Sequence, residues 1–354
     1  MRGRCFLKRH VSDVRAWLRG YPGNRNAASG FQVRFARALC RVARVACGLI
    51  VACGVFAADS DDRLANHPLT GRVWDVPGAR FIDAPALKDR LARSHFVLLG
   101  ETHDNPDHHR IQLELVSAMI AASKRPALGF EQFDREHQAA IERARNERPG
   151  DAEHLRESAR FNAKGWNWAF YEPLVTLALR NQLPVLAANL SRSHAFGIAM
   201  HGLATLGNAD LPALGLDQPL PALARTRLEQ VLDESHCHKL PAAQLPGMVD
   251  AQRARDAIMA STIALQGERG AVLIAGSGHA RRDFGVPLYL TRRFPGAVIV
   301  SVGLIEVDAQ ALLPEDYLEM RAGSAMQPYD YLWFTPRTLR EDPCGKFQMR
   351  AELR

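Results

Sequence analysis

The sequence predicts an α/β protein with a mostly parallel β-sheet, helices on both faces and a helical cap insertion. Short apolar segments alternate with amphipathic helical segments along most of the chain, which is typical of successive βαβ units. Polar or ionisable residues directly follow four of the apolar segments, as expected at the carboxyl edge of an open parallel sheet. Of the 354 residues, 47% are hydrophobic and 23% are charged, which excludes fibrous and disordered classes.

The individual elements follow from the hydrophobic pattern. Five short apolar runs predict strands over residues 95–99, 127–130, 184–188, 271–275 and 297–307. Helical spacing predicts helices over 107–123, from 134 onward, over 172–181 and 192–205, near 221–234, over 246–266 and, as a short helix, before the fifth strand. The helices between the third and fourth strands predict the cap. An aromatic run at 329–336 predicts a further strand packed on the body.

The first 58 residues have the pattern of an export signal. Residues 1–52 contain eleven Lys and Arg and one acidic residue, a net charge of +10. Because the whole chain carries +7, the remainder is mildly acidic, at −3. The apolar run Val45–Ala58 follows; it is shorter than the ~20 residues of a membrane-spanning helix, and this order of segments is typical of a secretory signal peptide. The basic charge therefore gives no evidence of a nucleic-acid partner.

The end of this leader predicts a lipid anchor. Ile50–Cys53 resembles a bacterial lipobox, which predicts cleavage before Cys53 and lipidation of that cysteine. Cleavage after Ala57 without lipidation is the alternative, and the length of the segment before Arg34 suggests a translation start near Val33. We expect an exported lipoprotein, anchored in the outer membrane and facing the periplasm or the cell surface.

The remaining chain divides into three parts. Residues 59–86 are polar and turn-rich and predict a linker and entry segment before the α/β domain, which spans 87–340; residues 341–354 are predicted to form a C-terminal tail. The body contains two cysteines, Cys237 and Cys344. Sequence separation does not show whether two cysteines are close enough to pair, so a disulfide remains open at this stage.

Ionisable residues collect at the ends of the predicted strands. Glu101 and His103 follow the first strand, Glu131 follows the second and His279 the fourth. Both histidines stand three residues after a glycine, which allows a tight turn at the strand end. Two imidazoles and two carboxylates suit a first-row divalent metal or a general acid–base pair. The alternative is that each residue only caps a helix or satisfies loop backbone.

Other patterns predict structure rather than chemistry. Gly276–Arg281 lacks the third glycine of a dinucleotide fingerprint, and the chain contains neither a P-loop nor a Gly-x-Ser-x-Gly motif. His108 and His109 are expected in a solvated first helical turn, although His109 lies near enough in sequence to reach the site. His236–His238 is expected to be a loop, and the aromatic segment 165–171 is expected to pack against the body.

Taken in order, these motifs resemble the ChaN-type haem-binding lipoproteins, within the wider group that includes the Tiki proteases, TraB and the erythromycin esterases. The resemblance covers roughly residues 70–340. The matching segments are Leu98–His109, Phe130–Phe133, Gly165–Pro173, Ala187–Leu190, His236–His238, Met248–Asp256, Gly276–Pro287 and Asp330–Arg337.

The resemblance implies a haem-binding, membrane-anchored lipoprotein of bacterial iron uptake, with haem held partly at a homodimer contact. Arg255 and Arg282 are the implied anion clamps, because arginine holds carboxylates such as haem propionates bidentately. The iron ligand in such proteins is a tyrosine, a sound ligand for ferric iron, and Tyr171 is the nearest candidate.

The wider group implies a second function, a metal-dependent hydrolase acting as a protease or esterase. Four residues would form its catalytic core and hold a divalent metal that activates water: Glu101, His103, Glu131 and His279. A haem carrier and a hydrolase both agree with the sequence, because either could carry the lipid anchor and either would use this strand edge.

Overall fold

The structure, a computed structural model, describes residues 63–318, 327–341 and 344. These residues belong to one compact unit that begins at Ala58. The predicted signal peptide, the alternative start, Cys53 and most of the tail lie outside the described residues. Within the described ranges, no helix combines the length and apolar character needed to cross a membrane.

The described chain contains an eight-stranded sheet. Its strands are β1 Val73–Asp75, β2 Arg80–Ile82, β3 Phe96–Glu101, β4 Ala127–Asp134, β5 Val185–Asn189, β6 Ala271–Gly276, β7 Ile299–Glu306 and β8 Tyr331–Thr335. Their order is β2-β1-β8-β7-β3-β6-β4-β5. The six strands from β8 to β5 are parallel, and β1 is antiparallel to both of its neighbours. The prediction of a mostly parallel sheet is confirmed.

The central strands are apolar on both faces because helices cover both faces. All six residues of β3 are buried. Val97 and Leu99 belong to one apolar core, whereas Phe96 and Leu98 belong to the core on the other face. This alternation follows from the two-residue repeat of a strand, and it explains why continuous apolar runs identified these strands.

Helices connect the parallel strands. They are α1 Ala84–Ala92, α2 Pro106–Ala121, α3 Gln138–Glu147, α4 Ala152–Ser158, α5 Trp168–Arg180, α6 Arg192–His201, α7 Asp210–Leu214, α8 Ala222–Ser235, α9 Leu245–Ala264, α10 Ser277–Ala280 and α11 Val286–Arg293. The insertion between β5 and β6 comprises α6 to α9, and eleven residues of α9 are buried. Helix α5 begins four residues before the predicted start because the Asn167 side chain caps it by accepting from the Ala169 N–H.

The segment predicted as a linker contributes to the sheet. Strands β1 and β2 lie within residues 59–86, and α1 begins at Ala84. Val73 pairs with Trp333 of β8 across the antiparallel ladder. The sequence did not predict these two strands, because three-residue strands show no clear periodicity and their partner lies near the other end of the chain.

A disulfide bond joins Cys237 to Cys344, with their Cα atoms 5.5 Å apart. It links the turn after α8 to the C-terminal segment across a sequence separation of 107 residues. The question that the sequence left open is therefore answered by the fold. His236–His238 lies in a turn, as predicted, since α8 ends at Ser235.

Candidate functional site

Three neighbouring strands carry the predicted site residues to one edge of the sheet. Strands β3, β6 and β4 lie side by side. Glu101 lies at the end of β3, Glu131 lies in the last half of β4, and His279 follows β6 on the short helix α10. Parallel strands end at a common edge, so residues far apart in sequence meet there. We call the group formed by Glu101, His103, Glu131, Asp256 and His279 the strand-edge site.

Glu101 is a buried anion held by surrounding donors. It is 1% exposed, and its Oε1 accepts the Tyr171 hydroxyl at 2.7 Å. Gln112 Nε2 donates to Oε2 at 2.7 Å, and His103 Nδ1 lies 3.0 Å from Oε1. Burial raises the pKa of Glu101, but the His103 hydrogen bond and the charge of His109 outweigh it, so the pKa is lowered overall.

His103 is the more exposed residue of the Glu101–His103 pair. Its side chain is 45% exposed, and its ring meets the edge of Trp166 with the centroids 4.6 Å apart. Burial lowers the pKa of His103, but the bond to Glu101 and the charge of Glu131 raise it overall. A Cβ at Gly276 would lie 2.8 Å from His103 Cε1, so the glycine at the end of β6 makes room for the imidazole.

His279 connects two buried carboxylates. Its Nδ1 lies 2.6 Å from Asp256 Oδ1, and its Nε2 lies 3.3 Å from Glu131 Oε1. Burial lowers the pKa of His279, but the charges of Glu131 and Asp256 raise it to about 9. The imidazole is therefore a cation at neutral pH that donates from Nδ1 to Asp256 and faces Glu131 with its other N–H.

Arg255, which the resemblance implies is an anion clamp, lies beside Glu131. Its Nη2 donates to Glu131 Oε1 at 2.6 Å, and its Nε donates to Asn189 Oδ1 at 3.1 Å. His279 and Arg255 together hold the pKa of Glu131 well below its ordinary value, although burial raises it. The site thus pairs buried acidic side chains with basic ones, and His103 within the site and Arg255 beside it are more accessible than Glu131 and His279.

Comparison with known proteins identifies the family. The family model described as haem-binding uptake, Tiki superfamily, ChaN matches residues 87–290. The chain belongs to this family. The resemblance predicted from the motifs is therefore confirmed, and the matched region contains every residue of the strand-edge site. No curated protein matches the chain.

A solved ChaN structure shares the fold of this chain, and other solved structures are more weakly similar. The structure of ChaN of Campylobacter jejuni, described as binding haem cofacially, has a TM-score of 0.57 and 22% identity, and the match covers 74% of this chain and 95% of that one. An erythromycin esterase mutant in its open conformation has a TM-score of 0.39 and 13% identity over 76% of this chain and 82% of its own. A toxin effector domain from Vibrio vulnificus has a TM-score of 0.36 and 13% identity, and the match covers 71% of this chain and 39% of that one.

The ChaN resemblance implies that Arg282 and Tyr171 bind haem, but in this structure their side chains contact other residues. Arg282 Nη1 donates to both carboxylate oxygens of Asp330 at 2.7 Å, and Asp330 also accepts the Ser301 N–H. Arg282 thus links the segment after α10 to the residue that precedes β8, and Asp330 in turn contacts β7. Tyr171 is 1% exposed, and burial together with the charge of Glu101 raises the pKa of its hydroxyl. A buried phenol that donates to Glu101 is not placed to bind an iron.

The burial of His109 differs from the prediction made from the sequence. It was expected in a solvated helical turn, but it is 5% exposed and stacks on Phe170 with the ring centroids 4.6 Å apart. Its Nδ1 lies 3.3 Å from Glu101 Oε2, and its Nε2 donates to the His103 carbonyl at 3.0 Å. The helical spacing of His109 with Gln112 and Val116 on the buried face of α2 was the signal that could have shown this.

The expected divalent metal is not supported. Within the described ranges, no group of three or more His, Cys, Asp or Glu side chains is arranged to hold a metal ion. The donor atoms explain this, because both nitrogens of His279 face carboxylates and Glu131 accepts from Arg255 and from the Gly276 N–H. Asp256, which lies on α9, is 0% exposed and completes this internal pairing.

Proposed function

We propose that this protein binds haem as an exported lipoprotein of bacterial haem and iron uptake. The observation that carries the proposal is the match of the haem-binding uptake family to residues 87–290. The related fold of Campylobacter jejuni ChaN, described as binding haem cofacially, is consistent with it. A homodimer that holds haem at its contact, as the resemblance implies, is part of the proposal.

Side chains in and beside the strand-edge site fit haem. A haem site needs apolar or aromatic contact for the ring, a base for the iron and cations for the propionates. Trp166 lies beside the half-exposed imidazole of His103, and Arg255 lies on the other side of Glu131. Arg255 uses Nε and Nη2 for Asn189 and Glu131, and among the described residues its Nη1 has no partner and is available for a propionate.

The geometry favours a haem carrier over the metal-dependent hydrolase that the sequence left open. The hydrolase needs a metal held by Glu101, His103, Glu131 and His279, but no group of three or more such side chains in the described ranges is arranged to hold a metal ion, and the two nitrogens of His279 face Asp256 and Glu131. Metal ligation requires a neutral imidazole with a free nitrogen. Binding a metal there would break the buried contacts of His279 with Asp256 and Glu131.

Titration with hemin tests the proposed function. We expect the full-length protein to develop a Soret band distinct from that of free hemin and to saturate at a fixed stoichiometry. Replacing Arg255 by Gln should weaken binding by about tenfold, since a charge-assisted hydrogen bond contributes roughly 1.5–3 kcal/mol. Arg282→Gln is the matched control and should leave the affinity unchanged, because Arg282 contacts Asp330. A titration that shows only free hemin would contradict haem binding.

The membrane anchor is a separate part of the proposal. The basic leader and the lipobox at Ile50–Cys53 support it, and the Cys237–Cys344 disulfide is of the kind that persists in an oxidising, extracytoplasmic compartment. We expect Cys53→Ser to abolish palmitate labelling in cells and to release the chain from the membrane fraction. Cys47→Ser is the control and should remain labelled. Labelling that survives the loss of Cys53 would show that this cysteine is not the anchor.

A further inference from the structure

We propose that the folded body contacts the membrane surface through three exposed leucines, Leu312, Leu313 and Leu339, which we call the docking leucines. The partner is a neutral lipid bilayer. This inference rests on one part of the proposed function, the lipid anchor at Cys53, and it goes further by naming the face of the folded body that touches lipid. The residues of the strand-edge site take no part in it.

The docking leucines are concentrated at the ends of two neighbouring strands. Leu312 is 53% exposed, and Leu313 and Leu339 are each 60% exposed. They are three of the seven large hydrophobic side chains that are exposed among the described residues. The first two follow β7 and the third follows β8, and because these strands are parallel neighbours, the segments begin at the same edge of the sheet. A single exposed leucine needs no explanation, whereas three at one edge indicate contact with an apolar partner.

The segments that carry the docking leucines are held in fixed positions. Tyr317 packs its ring on Phe334 of β8, with the centroids 5.0 Å apart, and its hydroxyl donates to the Ala311 carbonyl at 3.0 Å. These contacts close the loop that carries the first two docking leucines. Beyond β8, the Thr338 N–H donates to Glu306 at the end of β7, at 2.9 Å. The leucines are therefore presented by ordered backbone, so a contact that buries them loses little conformational entropy.

The anchored end of the chain enters the folded body at the same place. The Arg63 carbonyl accepts the Arg337 N–H at 2.9 Å, two residues before Leu339. Arg63 lies ten residues after Cys53, and ten residues span at most ~36 Å. A lipid on Cys53 therefore keeps this edge of the body within reach of the bilayer. The tether raises the effective concentration of lipid at the docking leucines, which a weak apolar contact needs.

The arginines near the docking leucines are paired with carboxylates. Arg340 lies 2.8 Å from Asp104 and 2.7 Å from Glu306, and Arg63 lies 3.0 Å from Asp107. Because these charges are already neutralised, attraction to anionic headgroups is not what holds this edge at the membrane. The contact instead comes from apolar side chains that insert at the boundary between headgroups and acyl chains. A neutral bilayer is sufficient for such a contact.

Photo-cross-linking in vesicles tests the docking surface. The lipidated protein, purified from cell membranes, is reconstituted into phosphatidylcholine vesicles that contain a phosphatidylcholine with a photoreactive diazirine on its acyl chain. We expect mass spectrometry to find lipid cross-links on residues 307–318 and 336–341. Leu312→Ser combined with Leu313→Ser should lower the yield on 307–318 about tenfold, because the apolar area that inserts is lost. Circular dichroism of each variant establishes that it is folded.

The matched control is Leu223→Ser combined with Leu265→Ser. These two leucines are 61% and 75% exposed, but they lie on α8 and directly after α9, so their loss should leave the cross-links on 307–318 unchanged. Cross-links confined to residues before 63, or equal in yield in all three proteins, would overturn the docking surface while leaving the anchor in place. Docking leucines covered by a second copy of the chain would give no lipid cross-links, which would overturn it as well. Protein that carries no lipid and stays in solution would instead contradict the anchor of the proposed function.

Discussion

Replacing Cys237 by serine is expected to lower the free energy of unfolding by about 4 kcal/mol, because the disulfide closes a loop of roughly 100 residues. The bond joins Cys237 to Cys344, 107 residues further along the chain. Without it, the unfolded chain gains the conformational freedom that the cross-link removes. Urea unfolding of the oxidised protein, followed by circular dichroism, measures the change.

The controls distinguish the bond from the individual side chains. Cys344→Ser should lower stability by the same amount as Cys237→Ser, and the double variant should be no less stable than either single variant, since all three lack the same cross-link. Reduction of the unchanged protein should reproduce their stability. Single variants as stable as the oxidised protein would show that Cys237 and Cys344 are not paired.

Raising the pH from 6.5 to above 9 is expected to destabilise the protein by about 3 kcal/mol through His279 alone. Charges from Glu131 and Asp256 raise its pKa to about 9 in the folded protein, against an ordinary value of 6.5. The folded state therefore binds this proton more tightly than the unfolded state. The stabilisation is fully present below pH 6.5 and is lost as the pH rises through 9, which urea unfolding at a series of pH values measures.

His279→Gln provides the comparison for this pH dependence. The variant should be less stable than the unchanged protein near pH 6 and should show a much flatter dependence between pH 6.5 and 9. Some dependence of the same sign should remain, because Glu101 also raises the pKa of His103. An unchanged slope in His279→Gln would show that His279 is not the cation between Glu131 and Asp256.

The predictable part of the site was the set of residues at the strand ends. Glu101, His103, Glu131 and His279 were found because each directly follows a continuous apolar strand, and strands β3, β4 and β6 end at one edge. Their partners were harder to predict. Gln112 and Tyr171 contact Glu101 from helices α2 and α5, and a helical pattern shows which face is buried but not which strand end it meets.

The sequence by itself determined the α/β class, the apolar strands, most helices and the acidic and imidazole groups at the strand ends, because these depend on hydrophobic period and on residues next to one another. Tertiary structure alone decided contacts between distant segments: β1 pairs with β8, Arg282 binds Asp330, and Cys237 bonds to Cys344. The physical reason is that burial and hydrogen-bond pairing are set by partners from other parts of the fold, which local sequence patterns do not encode.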